Sequence, residues 1–255
     1  MNIRRAGVIG AGRSGRAAAA LLRRLGADVL LSDAGVIQRP LLRGIQTEEG
    51  GNTDRLLDCG LLIRSPGVPN HLPILRKAFR RHIPVWSELE LASRMIRPRT
   101  LVAITGTNGK TTTTTLLELL LNDAGKKAVA CGNIGKAFAE AVFELSREDW
   151  AVLEVSSFQL ESIREFKPKV AAVLNITPDH LDRHGSMQAY VETKARLFEN
   201  QDGEDAAILN ASDKYTPILS GLLKARRFLF GFKKEGAGES VPGCYVVGDA
   251  LELMG

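Results

Sequence analysis

Apolar positions along this chain fall into short strand-like runs separated by helix-like stretches. Residues 5–9 (Arg-Ala-Gly-Val-Ile) predict a buried strand, followed by a glycine-rich turn, a helix over 16–25 and a second strand over 29–31. Residues 61–63 (Leu-Leu-Ile) predict another strand, running into Ser65-Pro66-Gly67-Val68-Pro69. Pro-Gly at the centre of that turn predicts type II geometry, with glycine at positive φ, either as a ligand-binding strand end or as plain chain reversal. From residue 101 the alternation returns, with strands over 101–104, 127–131, 151–155, 170–174 and 206–209 and helices over 111–121, 136–145 and 187–199. In the first of these helices, residues 116–121 (Leu-Leu-Glu-Leu-Leu-Leu) predict the core-facing part, and Gly125 a natural stop. The tail, 226–255, has short β-like runs at 228–230, 245–247 and 251–253 with no helix pattern between them, which predicts a small antiparallel addition. Strands alternating with helices predict mostly parallel sheets. Ile96-Arg97-Pro98-Arg99 has the look of a short linker, so two units are expected, and no internal repeat or low-complexity tract interrupts them.

Composition permits this and excludes little else. With 255 residues and 44% hydrophobic content, the chain can bury a substantial core. Thirty-four basic against 29 acidic residues give a net charge of +5, spread along the sequence without a basic run of the kind that binds nucleic acid. Cys59, Cys131 and Cys244 are odd in number, far apart and without metal-ligand spacing, so a reduced, cytoplasmic setting is expected. No apolar run approaches the roughly 18–20 residues of a membrane span.

The strongest chemical signal is Ile104-Thr105-Gly106-Thr107-Asn108-Gly109-Lys110-Thr111-Thr112, between a strand and a Leu-rich helix. It is shorter than the standard phosphate-loop pattern, which needs glycine where Ile104 stands, but it keeps the working parts. Gly106 and Gly109 let successive N–H groups turn inward, Lys110 brings positive charge, the Thr111 hydroxyl can ligate Mg²⁺, and the helix N-terminus adds unpaired donors. The alternative is a Thr-rich helix cap with no ligand, although the β-branched run 111–115 makes an uneconomical structural element. Earlier, Gly10-Ala11-Gly12-Arg13-Ser14-Gly15 with its flanking strands and Asp33 matches the dinucleotide-binding fingerprint. Close helix–strand packing would equally require glycine at position 15. The expected architecture is therefore α/β: a Rossmann-like N-terminal domain over 1–97, and a P-loop-type, mostly parallel central domain over 98–255 with the antiparallel addition.

Other polar groups gather at predicted strand ends. Glu154 lies in an apolar strand, where a carboxylate is costly unless paired or on a metal, and Ser156-Ser157-Phe158-Gln159 follow at the strand exit. Leu174-Asn175-Ile176-Thr177 runs into Pro178-Asp179-His180-Leu181-Asp182-Arg183-His184-Gly185, which holds more histidine, aspartate and arginine than a solvated loop requires. Lys194 falls on the apolar stripe of helix 187–199. It is either a snorkelling side chain or a desolvated amine with a lowered pKa.

Together these residues resemble the Mur ligases, the ATP-dependent amide-bond ligases that build the peptide of peptidoglycan and so serve cell-wall biogenesis, cell shape and division. The loop 105–112, Gly132-Asn133-Ile134-Gly135, Glu154 and Asp179-His180-Leu181-Asp182 carry the resemblance. Within the family, the strings 154–161, 179–185 and 194–200 are most similar to members that add D-glutamate to UDP-N-acetylmuramoyl-L-alanine. The resemblance implies that Gly106, Thr107, Asn108, Gly109, Lys110, Thr111 and Thr112 bind ATP. It implies Thr111 and Glu154 on one Mg²⁺ and His180 and Lys194, the latter carbamylated, serving a second. Lys110, Glu154, His180 and Lys194 would be catalytic, and an acyl phosphate would be attacked by the D-glutamate amine. It further implies that the N-terminal unit binds UDP rather than NAD, with Arg13, Ser14, Asp33 and Gly67 near the uridine and diphosphate. Asn133, Ser156, Gln159, His180 and Arg183 would line the rest of the substrate channel.

A cytoplasmic monomer acting on small molecules, with no nucleic-acid or membrane partner, is the expectation. Two departures stand out. Ala34 and Gly35 follow Asp33 where the most similar members carry polar or basic uracil-side contacts. Family members also have a third, Rossmann-like domain that holds D-glutamate, whereas this chain ends at Gly255. A truncated form with little or no turnover of its own is therefore expected. A nucleotide-binding module without ligase activity, and an NAD-dependent dehydrogenase resting on residues 10–15 alone, are the competing readings.

Overall fold

The computed structural model describes residues 3–38, 41–95, 100–232, 243–247 and 250–254; the expected linker at 96–99 lies outside them. The chain forms two compact units. The first comprises Met1–Arg97, Gly135–Ser146 and Glu161–Phe166; the second comprises Pro98–Ile134, Arg147–Leu160 and Lys167–Gly255. A single cut in sequence thus does not separate them, because two later segments pack into the first unit.

The first unit is a five-stranded, all-parallel sheet of order β3-β2-β1-β4-β5, with β1 Arg5–Ile9, β2 Asp28–Ser32, β3 Ile45–Glu48, β4 Leu61–Arg64 and β5 Val85–Trp86. This is the strand order of a doubly wound dinucleotide-type half, with its switch point between β1 and β4. Helix α1 (Arg13–Arg24) lies close on the sheet because its buried face is small: Gly15, Ala17, Ala18 and Ala19 precede Leu21 and Leu22. Gly15 is obligatory, since a Cβ there would stand 1.8 Å from the Gly10 carbonyl oxygen. Helix α2 (Pro73–Arg80) buries Ile74, Leu75 and Ala78, which join Ile9, Leu30, Leu56 and Leu62 in one apolar cluster. The turn after β4 closes with the Val68 N–H donating to the Ser65 carbonyl (3.0 Å), but Gly67 does not adopt positive φ. The expected type II geometry is therefore corrected; proline at the second turn position suits a type I-like path equally well.

Two buried glutamates on α3 (Glu88–Met95) capture the inserted segments. The Glu90 carboxylate, 0% exposed, accepts the N–H groups of Arg164 (2.8 Å), Glu165 (3.0 Å) and Phe166 (3.0 Å) and the Arg94 Nε (2.6 Å). The Glu88 carboxylate accepts from the Ala139 N–H near the start of α5 (Phe138–Ala141).

The second unit is an eight-stranded sheet of order β13-β12-β11-β10-β9-β6-β8-β7. Its strands are β6 Thr100–Thr105, β7 Ala128–Gly132, β8 Trp150–Glu154, β9 Val170–Val173, β10 Ala206–Asn210, β11 Arg226–Phe232, β12 Gly243–Val247 and β13 Ala250–Met254. Every pairing is parallel except β12 with β13. The antiparallel addition is thus narrower than the sequence predicted: β11 continues the parallel sheet because α9 (Thr216–Leu222), which had no clear sequence signal, makes the crossover from β10. Helix α4 (Lys110–Asp123) also departs from expectation. Leu117 and Leu121 pack on Val102, Ile104, Ala128, Val152 and Ala172, whereas Leu116, Leu119 and Leu120 are 53%, 60% and 58% exposed. A helix against one sheet face can bury only one stripe, so a run of consecutive leucines cannot all turn inward. The predicted helices over 136–145 and 187–199 shorten to α5 and to α8 (Met187–Ala195), the latter continuing as a 3₁₀ turn, Arg196–Phe198. Among the described residues no helix is long and apolar enough to cross a membrane.

Candidate functional site

Strand register gathers the chemistry of the second unit. Within the sheet, Ile104 pairs with Glu154 and Thr105 with Val173, and Gly132 pairs with Glu154 from the other side. The loops leaving β6, β7, β8 and β9 therefore emerge at one carboxyl edge, where open α/β sheets bind ligands.

The loop after β6 is a phosphate cradle with its parts in place. Gly109, the N-cap of α4, takes φ 82° and ψ −7°, and no side chain caps the helix, leaving first-turn N–H groups open at the positive end of the dipole. Lys110 folds its Nζ onto the carbonyls of Gly106 (3.0 Å) and Thr107 (2.8 Å). Thr111 donates its hydroxyl to Glu154 Oε2 at 2.6 Å, and Asn133 Nδ2 donates to Oε1 at 2.8 Å. Glu154, 3% exposed, is thus a buried carboxylate satisfied by a hydroxyl and an amide. Thr112 is exposed in the first turn of the helix.

The sequence missed how this loop is held. Asn175 accepts the Asn108 N–H on Oδ1 (2.8 Å), donates Nδ2 to the Asn108 carbonyl (3.0 Å) and offers its own carbonyl to the Thr107 N–H (2.9 Å). Thr107 Oγ1 then accepts the Thr177 N–H (3.0 Å) and stands 3.4 Å from the Tyr190 hydroxyl. The polar residues at the exit of β9 were the only signal.

Lys194 is 1% exposed, so it is not a snorkelling side chain. Its Nζ donates to the Gly106 carbonyl (3.0 Å) and lies 4.6 Å from the Tyr190 ring centre. Burial, seconded by the charge of Lys110 and opposed by Asp179, brings its pKa down to about 7. At neutral pH much of this amine is uncharged and nucleophilic.

The side chains of the loop after β9 gather around Phe158. His180 packs at 4.9 Å and His184 stacks at 5.6 Å between ring centres, and the Arg183 guanidinium lies 4.4 Å over the same ring. His184 Nε2 is also 3.0 Å from Ser157 Oγ. His180, the residue before the short helix α7 (Leu181–His184), adopts φ 52°, uncommon for a residue with a side chain, and stands 3.5 Å from an Asp179 oxygen. Gln159, 1% exposed, accepts both the Ser156 N–H (3.0 Å) and its hydroxyl (3.1 Å), shaping the turn that begins α6 (Ser157–Leu160). Among the described residues, no group of three or more His, Cys, Asp or Glu could hold a metal.

In the first unit, Asp33 accepts the Ala11 N–H (2.6 Å) and the Gly35 N–H (2.8 Å), tying the glycine-rich turn to the end of β2. Arg13 donates to the Gly135 carbonyl (2.8 Å); Ser14 is half-buried beside it and Gly67 is exposed.

An uncapped helix behind a glycine loop, a lysine, and a hydroxyl–carboxylate pair at the carboxyl edge of a parallel sheet define a nucleotide-binding α/β protein. Comparison with known proteins narrows that class. Residues 104–241 match the Mur ligase middle domain, and residues 5–73 match the MurD N-terminal domain. The chain belongs to the Mur ligase family, whose members use ATP. It is 42% identical over 238 residues to the UDP-N-acetylmuramoylalanine--D-glutamate ligase of Elusimicrobium minutum, covering 90% of this chain and 52% of that protein. It is 45% identical over 237 residues to the ligase of the same name from Koribacter versatilis, covering 89% and 52%. The chain spans about half the length of the curated relatives it matches. Among solved structures, UDP-N-acetylmuramate:L-alanyl-gamma-D-glutamyl-meso-diaminopimelate ligase from Neisseria meningitides aligns with TM-score 0.61 at 17% identity, over 89% of this chain and 78% of that one. UDP-N-acetylmuramate-alanine ligase from Thermotoga maritima aligns with TM-score 0.51 at 22% identity, over 89% and 53%. These two establish a shared fold.

Proposed function

We propose that this chain carries the UDP-substrate-binding and ATP-binding parts of a ligase that joins D-glutamate to UDP-N-acetylmuramoyl-L-alanine through an acyl phosphate, in cytoplasmic peptidoglycan synthesis. The observation that carries the reading is the 2.6 Å contact of Thr111 with buried Glu154 beside the Lys110 loop, in a chain 42% identical to a ligase of that name. The domain assignment, 1–97 for the UDP substrate and 98–255 for ATP, belongs to the same proposal, as does a monomeric state.

Thr111 and Glu154 fit a Mg²⁺: they supply adjacent oxygens, and Mg²⁺ is typically held by one or two carboxylates plus substrate phosphates. The ion would neutralise phosphate charge when bound. Lys110 and the amides of residues 106–112 would hold the β- and γ-phosphates, placing the γ-phosphoryl group for transfer to the substrate carboxylate. Asn133 fixes the orientation of Glu154. His180 and Lys194 would serve a second Mg²⁺ after carbamylation of Lys194; the buried amine with its pKa near 7 supports this, because only the neutral amine reacts with CO₂. Arg13, Ser14, Asp33 and Gly67 would receive the uridine diphosphate, and Asn133, Ser156, Gln159, His180 and Arg183 the remainder of that substrate.

Calorimetric titration tests the reading. UDP-N-acetylmuramoyl-L-alanine is expected to bind the chain, with little or no turnover when ATP and D-glutamate are added to this length of protein. Tighter binding of NADH than of the UDP sugar would overturn the assignment.

A further inference from the structure

In the first unit, a groove of about 480 Å³ runs along α2, lined by four arginines and one carboxylate. Its floor pairs a buried arginine with a glutamate. Arg64, 2% exposed, donates to Ser162 Oγ (2.8 and 3.1 Å), to the Val68 carbonyl (2.6 Å) and to Glu161 (2.9 Å), and Asn70 donates to the same Glu161 oxygen (2.9 Å). The charge that this floor leaves uncompensated comes from the rim. The Arg76 and Arg80 side chains are exposed and make no hydrogen bond or ion pair with a described residue; Arg164 also lines the groove but has interactions of its own.

The rim also has an aromatic component. Phe79 is 79% exposed, and positions 76, 79 and 80 share one face of α2 by their i, i+3, i+4 spacing. Leu75 and Val85 supply an apolar wall beside it. An exposed phenyl ring flanked by two uncompensated guanidinium groups, over a groove of small-molecule size, fits a ligand with a flat ring at one end and a multiply charged anion at the other. Arginine forks suit phosphate oxygens, and ring stacking on phenylalanine is tolerant of base identity.

We propose that this groove is a binding site for a nucleoside monophosphate, with the base on Phe79 and the phosphate between Arg76 and Arg80. None of Arg13, Ser14, Asp33 or the phosphate-loop residues lines it. It is therefore a site additional to those of the proposed ligase chemistry, through which a nucleotide product or precursor could bias the protein.

Calorimetric titration of 5′-AMP into the Lys110→Ala chain, with the phosphate loop thus disabled, provides the test. Saturable binding is expected, weakened at least tenfold by Arg76→Gln/Arg80→Gln and by Phe79→Ala, and kept by Phe79→Trp. Inorganic phosphate and adenosine are each expected to bind at least tenfold more weakly than AMP. The Arg76, Phe79 and Arg80 side chains are exposed, and unchanged melting temperatures would show that the fold is retained. AMP binding that is undetectable, that persists in the double arginine variant, or that inorganic phosphate matches in affinity would overturn the proposal.

Discussion

Glu88→Gln is expected to remove a pH-dependent weakness from the first unit. Glu88 is 1% exposed; one carboxylate oxygen accepts the Ala139 N–H, and the other, Oε2, has no hydrogen-bond partner among the described residues. Burial, the largest influence, raises its pKa from 4.5 to about 7; the Ala139 N–H and Arg13 oppose this, and Glu140 adds to it. The folded pKa lies above the unfolded one, so the native state holds this proton more tightly. The stability it confers is complete below about pH 4.5 and is lost as pH rises through about 7. A separation of roughly 2.5 units at about 1.4 kcal/mol each gives a loss of about 3–4 kcal/mol by pH 8. Glutamine keeps an acceptor for Ala139 and stays neutral at every pH. The variant is therefore expected to lie within about 1 kcal/mol of the parent at pH 5 and to exceed it by about 3–4 kcal/mol at pH 8. Urea unfolding at pH 5, 6, 7 and 8, at fixed ionic strength, measures this. Trp86 on β5 reports the first unit, and a Trp150→Phe background removes the signal from β8 in the second. A stability difference constant from pH 5 to pH 8 would refute the reasoning.

Glu90→Ala strips the acceptor from three backbone N–H groups and Arg94, and is expected to cost about 3–5 kcal/mol in urea unfolding and to open residues 161–166 to protease. Gly15→Ala forces a Cβ to 1.8 Å from the Gly10 carbonyl oxygen, and a loss of at least about 2–3 kcal/mol, or failure to fold, is expected by the same assay. Lys110→Ala and Glu154→Gln should each weaken Mg-ATP binding at least tenfold without moving the melting temperature by more than a few degrees; retention within about threefold, under 1 kcal/mol, would remove that residue from its proposed role. Lys194→Ala, placed in a ligase of full family length, is expected to abolish turnover, with partial rescue by short carboxylates. Incubation with ¹³C-bicarbonate should give a carbamate resonance in the parent that the variant lacks.

Local sequence patterns were enough for the strand–helix alternation, the phosphate loop, the glycine-rich turn and the strand-end polar residues, because period and turn chemistry are properties of neighbours in the chain. The strands over 5–9, 29–31, 61–63 and 101–104 could be placed because parallel strands buried on both faces read as unbroken apolar runs. Which leucines of α4 face the sheet could not be placed, because Leu116 and Leu117 are chemically alike and only docking on the sheet separates them. The short helices α2, α3 and α9 were missed, since each is only seven or eight residues long and derives its stability from what it packs against. Gly67 could have taken positive φ in isolation, and the surrounding turn chose otherwise.

The candidate site divides the same way. Lys110, Thr111 and Glu154 stood out by residue type and position, but the register of Ile104 with Glu154 is what brings the Thr111 hydroxyl within 2.6 Å of that carboxylate. Whether Lys194 is buried or snorkelling was undetermined in the sequence; the 1% exposure that lowers its pKa comes from residues 88 and 89 positions away, Gly106 and Thr105, closing over its Nζ. The capture of 135–146 and 161–166 by the first unit had no local signal at all. It depends on Glu88 and Glu90 meeting backbone N–H groups about 50 to 75 residues distant, and a buried carboxylate cannot announce its partners until the fold delivers them.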